Sequence, residues 1–492
     1  MKETQKAYRE IFKATSIFGS VQILSIIASI LRSKFAAIFI GPIGMGVLGL
    51  LNSTIKLISG ISKVGLDTSS IKEIAFANKK GDTKEVDEII YILKRILWFT
   101  GLIGAIATLI LSSVLSELTF GNSDYVISFI WLSIVILFNQ LTCGNLAILQ
   151  GLRRLRQLAL ANLITSFASV IIIVPLYYYL ELKGIVPSLI VVSVISFLIS
   201  VYYTRGITQQ NYKQSISKSF IKGKAMMKLG AVLSIGNLIS LLVAYIMQVY
   251  ITEKGGLTEV GLYNAAIVII NSYVGVVFNA MGKDYYPRLA ETLENRHLIN
   301  QKVSQQALVA VLLLTPIITI FIAFASIIIK LIYSNEFLPI ITFVSLALLG
   351  TLFKALSWSK GYVIIAKGDS KVFVKTAIGF NMLLLILNLL GYNYYGLTGL
   401  GVSYLIYFCA HYIVISLIMK FRYQMIFNND VIPIFFVCLL FSILVFLFTF
   451  IANDVYKYIL LLLALLLSIL FSLYHLNKKI DLIGFIKKGK ND

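Results

Sequence analysis

The feature that most limits what this chain can fold into is a polar, charged stripe inside an apolar helix. Residues Arg32 to Glu73 read RSKFAAIFIGPIGMGVLGLLNSTIKLISGISKVGLDTSSIKE. The pattern predicts one apolar helix that ends at a Gly41-Pro42 turn and a second helix beyond it. On the second, Asn52, Lys56, Ser59, Lys63, Asp67 and Ser70 recur at spacings of 4, 3, 4, 4 and 3, which puts all six on one helical face. The other faces carry Leu, Ile and Val. A charged side chain at membrane depth is costly and faces a bundle interior or a wet cavity. The stripe therefore predicts a helix lining a hydrated, cationic cavity.

The rest of the chain supplies the membrane. Of its 492 residues, 58% are hydrophobic and 13% charged, and mean hydropathy is +0.88. These values predict an all-α polytopic membrane protein. Fourteen candidate spans lie roughly at 14–40, 44–72, 89–117, 125–150, 157–180, 184–205, 225–252, 257–282, 304–333, 338–366, 372–391, 397–419, 431–452 and 456–476. Such long unbroken runs exclude a β-barrel. A formal charge of +21 would suggest nucleic acid in a soluble chain. Here Lys and Arg gather in alternate loops, from Lys2, Lys6 and Arg9 through Arg153, Arg154 and Lys367 to Lys487 and Lys488, as the positive-inside rule demands. This predicts no nucleic-acid partner and places both termini in the cytoplasm. Cys143, Cys409 and Cys438 sit far apart in apolar runs, without disulfide or metal spacing. The first apolar run is too long for a signal-peptide core and carries Arg32 and Lys34, so it reads as a retained helix.

The chain also repeats. Gly49-Leu50-Leu51-Asn52 returns as Gly261-Leu262-Tyr263-Asn264, and GNLAILQG from Gly144 returns as GYVIIAKG from Gly361, at offsets of 212 and 217. These matches predict two parallel six-helix lobes, 1–205 and 225–420, related by a pseudo-two-fold axis along the membrane normal around a central cavity. Residues 206–224 form a basic linker. It reads either as an interfacial amphipathic helix bearing Tyr212, Ile216 and Phe220 or as a basic loop without fixed structure. Residues 421–492 add two helices and a basic tail.

Five cations lie within the spans: Arg32, Lys34, Lys56, Lys63 and Lys354. Lys56 stands about twelve residues, roughly 18 Å, from the outer end of its helix. Lys354 lies mid-span on a face reading Gly350, Lys354, Ser357 and Gly361, so each lobe offers one deep cation. Arg32 is deep, whereas Lys34 reads as snorkelling outward. Lys63 either binds cargo or pairs with Asp67 one turn below it. Asn264, Asn271 and Asn279 with Tyr273 either line the cavity or join neighbouring helices. Paired carboxylates at depth, H-E-x-x-H, a nucleophile elbow and a P-loop are all absent from the sequence, and no outer loop is long enough to fold. The reading is a transporter that needs no cofactor rather than an enzyme. Four or five cations against one acid predict an anionic cargo. Pyrophosphate on a large amphiphile suits it best, with Lys as a point charge and Arg as a two-pronged donor.

Three motifs carry a family resemblance: GPIGMGVLGLLN after the first span, GLDTSSIKEIA at the end of the second, and MGKDYYPRLAE at Met281–Glu291. Across residues 1 to about 420 the chain resembles the polysaccharide-transporter (Wzx-type, O-antigen translocase) flippases of the multidrug/oligosaccharidyl-lipid/polysaccharide exporter superfamily. The resemblance implies twelve or fourteen helices in two lobes around a cationic cavity. It also implies transfer of an undecaprenyl-pyrophosphate-linked oligosaccharide from the inner to the outer leaflet of the cytoplasmic membrane, with substrate contact by Arg32 and Lys56. Lys354 joins them on depth and periodicity alone. Membrane lipids, and as further candidates a glycan polymerase and a chain-length regulator, are the partners this implies for a monomer. The competing readings are a multidrug or cation antiporter of the same fold, which needs an ion-binding acid facing the cavity, a membrane-embedded enzyme, and a membrane component of a glycan-assembly complex.

Overall fold

The computed structural model describes residues 2–207, 216–293 and 295–480, with the backbone alone for 2–23 and for several positions in 216–222, 283–287 and 479–480. The linker around Tyr212 and the basic tail beyond 480 lie outside the described residues. Described secondary structure is helical throughout. The first part of the chain forms α1 (Lys2–Lys63), α2 (Leu66–Lys80), α3 (Thr83–Ile110), α4 (Ser112–Phe120), α5 (Val126–Gly151), α6 (Leu155–Leu180) and α7 (Ile185–Thr204). Then come α8 (Ile216–Val268), a π-helical turn at Ile269–Val274, α9 (Val276–Ala290), α10 (Arg296–Ala323) and α11 (Ala325–Ile332). Last are α12 (Ile341–Ala366), α13 (Ser370–Arg422), α14 (Val431–Phe448) and α15 (Asp454–Ile480). Among the described residues, 10 helices are long and apolar enough to cross a membrane. The protein is thus an all-helical, multi-pass membrane protein.

Backbone breaks divide the longest helices. Gly41 (φ 59°) interrupts α1 beside Pro42, where the sequence placed the turn, and Gly256 (φ 76°) interrupts α8. Tyr395 and Gly396 break α13. The left-handed positions fall in register along the chain: Gly41 with Gly256, Arg153 with Gly368, and Glu181 with Gly396, each pair 215 residues apart. The turn after α5 and the turn after α12 match bond for bond. Leu152 N donates to Ile148 O, Arg153 N to Gln150 O and Arg154 N to Leu149 O. In the same order Lys367 N donates to Val363 O, Gly368 N to Ile365 O and Asp369 N to Ile364 O. Both are Schellman endings, in which a left-handed residue lets the next amides satisfy the last helical carbonyls.

One expectation is corrected here. The polar stripe does not run down a single helix, because α1 stops at Lys63. Val64 (φ 50°) and Gly65 (φ 65°) turn the chain before α2 begins. A Cβ on Gly65 would come 2.0 Å from the carbonyl oxygen of Gly230 on α8. This close backbone crossing, together with the positive φ, requires glycine and ends the helix. Asp67 and Ser70 therefore belong to α2 rather than to the helix that carries Lys56.

By contacts the chain forms two compact units, Met1–Gly261 with Ile332–Ser334, and Leu262–Leu331 with Asn335–Asp492. The first is cored by Leu66, Ile74, Ile90, Leu93, Ile96, Leu97, Ile148 and Met226, which join α2, α3, α5 and α8. The second is cored by Tyr285, Leu289, Val303, Ile364, Phe380 and Ile415.

Candidate functional site

The first unit contains a cavity of about 380 Å³. Helix α1 contributes Lys56, Ser59 and Lys63, and α2 contributes Asp67. Asn139, Thr142 and Cys143 come from α5, and Ser234 and Asn237 from α8. Across the break at Gly65 the Asp67 carboxylate lies 4.0 Å from the Lys63 ammonium. Lys63 Nζ also reaches Cys143 Sγ at 3.2 Å, and that sulfur lies 3.8 Å from Asp67 Oδ2. Lys63 thus pairs with the acid and faces the cavity at once. Lys56 is exposed to the cavity and has no carboxylate partner among the described residues. Arg32 is exposed too, but it does not line this cavity. The wall therefore joins unpaired positive charge to amide and hydroxyl groups. Such a wall can hold an anionic group with polar substituents beside it.

The other stripe residues are used differently. Asn52 Nδ2 donates to the Leu48 carbonyl one turn back (2.9 Å) and is not part of the cavity wall. Ser70 is fully buried. Lys34 is half-buried. Its Nζ donates to the Tyr333 carbonyl at 2.6 Å, because a carbonyl within reach of a half-buried ammonium replaces the water it would otherwise seek.

In the second unit Lys354 is half-buried, with its Nζ 5.1 Å from the Phe278 ring centre and 5.4 Å from that of Phe408. The aromatic faces take the place of a counter-ion. Ser357 is fully buried and donates to the Lys354 carbonyl at 3.1 Å. Asn271 is exposed on the π-helical turn, a local widening common at functional sites, and Asn264 is half-buried. Beside Lys354 stands an aromatic cluster. Phe278 lies 5.4 Å from Trp358, and Trp358 lies 4.9 Å from Tyr362 and 5.7 Å from Tyr285.

Several residues escaped the sequence reading. Asn139, Thr142 and Cys143 share one face of α5, and Ser234 and Asn237 share one face of α8, so helical spacing could have found them. Lys94, Arg95 and Lys360 also lie within membrane-length helices, and only their charge could have flagged them. Lys360 is buried, donates to Ser416 Oγ at 2.9 Å and sits 3.9 Å from the Phe427 ring centre.

Known proteins share this architecture. The chain is 26% identical over 381 residues to a candidate O-antigen transporter of Shigella flexneri, covering 75% of this chain and 88% of that protein. It is 20% identical over 390 residues to the lipid III flippase of Escherichia coli K12, covering 76% and 89%. Among solved structures it superimposes on an inward-facing multidrug resistance MATE family transporter of the MOP superfamily, with a TM-score of 0.69 and 14% identity over 83% of this chain and 98% of that one. It also matches the lipid II flippase MurJ in an inward closed conformation, with a TM-score of 0.63 and 16% identity over 96% and 99%. At these identities the structural matches establish the fold. The family itself follows from the sequence: the model of the polysaccharide biosynthesis protein family matches residues 6–342, well over half of the chain, and the chain belongs to that family.

Proposed function

We propose that this protein is a flippase that carries an undecaprenyl-pyrophosphate-linked oligosaccharide, an O-antigen-like or other envelope glycan unit, from the inner to the outer leaflet of the cytoplasmic membrane by alternating access. It is a transporter rather than an enzyme, since its relatives over three quarters of its length carry transporter and flippase names. The observation that carries the substrate reading is the first-unit cavity, where Lys56 is unpaired and Lys63 is only partly neutralised by Asp67. Lys56 and Lys63, with Arg32 of the same unit, would meet the pyrophosphate, and Lys354 of the second unit is a further candidate contact. The amide and hydroxyl groups of Asn139, Thr142, Ser234 and Asn237 suit sugar hydroxyls.

The finer architecture belongs to the same proposal. Fourteen crossings follow if each helix broken in mid-course folds back and α1 before Gly41 also spans. Two six-helix lobes, 1–205 and 225–420, are supported by the 215-residue register of the backbone breaks. With 206–224 as linker and 421–492 as an added pair of helices with a tail, both termini lie in the cytoplasm. A glycan polymerase and a chain-length regulator remain the partners this activity would call for.

A cation antiporter of the same fold has one observation in its favour, since Asp67 faces the cavity. Its neighbour Lys63, 4.0 Å away, competes with any bound cation for that carboxylate. The deciding experiment reconstitutes the purified protein in liposomes and asks whether a labelled prenyl-pyrophosphate saccharide becomes accessible on the opposite face. Transport that is lost in Lys56→Ala at unchanged insertion supports the proposal. No transport by the wild-type protein, with drug-cation exchange in its place, overturns it.

A further inference from the structure

A second cavity of about 260 Å³ lies in the first unit between α3, α5 and α7, and it shares no residue with the cavity described above. Its walls include Lys94, Trp98, Asn145, Phe197, Val201 and Arg205. Lys94 and Arg205 are exposed, and neither has a carboxylate partner among the described residues. Arg205 lies just past the last residue of α7, and Lys94 is the twelfth of the 28 residues of α3, counted from the end that follows the basic loop.

The second half of the chain shows what this groove becomes when the protein fills it from within. Counting on 215 residues, Asn145 corresponds to Lys360, Phe197 to Tyr412 and Val201 to Ser416. There the Lys360 ammonium occupies the groove, bonded to Ser416 and covered by the Phe427 ring. Above it, Phe138 and Phe197, whose ring centres are 5.2 Å apart, correspond to Phe353 and Tyr412. On that second pair lies Phe435 of α14, 5.0 Å from Phe353 and 6.4 Å from Tyr412. A cation, an aromatic lid and an added helix thus close the second groove. The first remains open, holds two unpaired cations of its own, and presents Trp98 with 47% of its surface exposed.

We propose that the first groove holds one anionic phospholipid of the leaflet facing the basic loops. Its phosphate lies between Lys94 and Arg205, and an acyl chain runs past Trp98 and Phe197 where α14 lies in the other half. Lys offers a point charge, Arg a planar fork, and Trp the amphipathic ring that favours the headgroup boundary. Two cations also favour an anionic over a zwitterionic lipid. The site stands whether or not the cargo is a lipid-linked saccharide, and its occupant is held rather than carried.

The test uses Trp98 as reporter in the full chain carrying Trp131→Phe and Trp358→Phe, reconstituted in phosphatidylcholine nanodiscs. Brominated phosphatidylglycerol should quench Trp98 at a mole fraction at least about fivefold lower than brominated phosphatidylcholine. Lys94→Gln with Arg205→Gln should abolish that preference, and Lys94→Arg with Arg205→Lys should keep it. If the single-tryptophan protein does not fold, the difference in quenching between wild type and Trp98→Phe reads the same quantity. Equal quenching by the two lipids, or a preference that survives the double Gln substitution, overturns the proposal. So does loss of the preference on adding millimolar inorganic phosphate, which would assign the groove to a soluble anion. Its loss on adding undecaprenyl phosphate at equal mole fraction would assign it to the cargo lipid and would overturn it equally.

Discussion

Each half of the chain carries one cation and one amide at a pair of matched positions, and the two halves exchange them. Lys56 on α1 shares its cavity with Asn139 on α5. At the corresponding positions, 215 residues on, the second half has Asn271 and Lys354. Around this exchanged pair the surroundings diverge. Lys63 and Cys143, which touch at 3.2 Å in the first half, correspond to Phe278 and Trp358, whose rings lie 5.4 Å apart in the second. Asp67 corresponds to Gly282, where a Cβ would fall 2.6 Å from the Tyr362 hydroxyl. The matched positions are therefore filled in two ways, as a polar cavity whose Lys56 has no carboxylate partner among the described residues and as an aromatic cluster that boxes Lys354 with rings. The contrast teaches that depth alone does not make a charge available to cargo. A cation solvated by ring faces has already spent much of its attraction.

The largest expected effect comes from making the first half resemble the second. Cys143→Trp, with Lys63→Phe, should fill the cavity and abolish transport in the liposome assay while leaving membrane insertion intact. Full transport by this variant would remove the cavity from the pathway. Next, Lys56→Ala should cost a charged contact of about 1.5–3 kcal/mol, roughly a tenfold to hundredfold loss of transport. Lys354→Ala should cost clearly less, and equal losses would show that the two cations act on cargo alike despite their surroundings.

Smaller effects should appear at the matched turns. Arg153 holds the left-handed position that Gly368 holds in the second half. Arg153→Gly should therefore stabilise the protein by about 1 kcal/mol and Gly368→Arg should destabilise it by a similar amount, read as opposite shifts in thermal unfolding. Smallest is a response to acid confined to one half. Asp369 caps α13 by accepting from Val372 N and also accepts from the Tyr423 hydroxyl and Arg422 Nε, whereas its counterpart Arg154 caps nothing with its side chain. The Tyr423 bond first, with help from Arg422 and the Val372 amide, holds the Asp369 carboxyl below the ordinary aspartate value. A depressed value in the folded state means that the contribution is complete above the ordinary aspartate range and fades as pH falls through the lowered value. Hydrogen exchange at the Val372 amide should accelerate over that acidic window, with no matching change at Gln157 after the first-half turn.

Much of the membrane frame was legible in the sequence, because the apolar runs and loop charges record it directly. The Gly41-Pro42 turn and the Lys56–Ser59–Lys63 face were legible for the same local reason. The end of α1 was not, since Gly65 is tolerable inside a helical pattern and only the crossing with Gly230 excludes it. The glycine matches caught a recurrence of backbone breaks but not its register. The offsets of 212 and 217 slip from 215 because they match glycine to glycine, whereas the fold repeats backbone conformations that different residues supply, as at Arg153 and Gly368. The far wall of the cavity stayed hidden because Asn139 and Asn237 lie on different helices and meet only after folding.

Cys143 gives the molecule a native handle for chemistry. It is half-buried at the cavity wall against Lys63, while Cys438 is buried and Cys409 lies in the second unit. Small thiol-reactive reagents differing in charge could therefore sample the wall of an unmodified transporter. A negatively charged alkylating agent, drawn by Lys56 and Lys63, should label Cys143 faster than a positively charged one of equal size. Cargo in the cavity should slow both, turning one sulfur atom into a clock for occupancy.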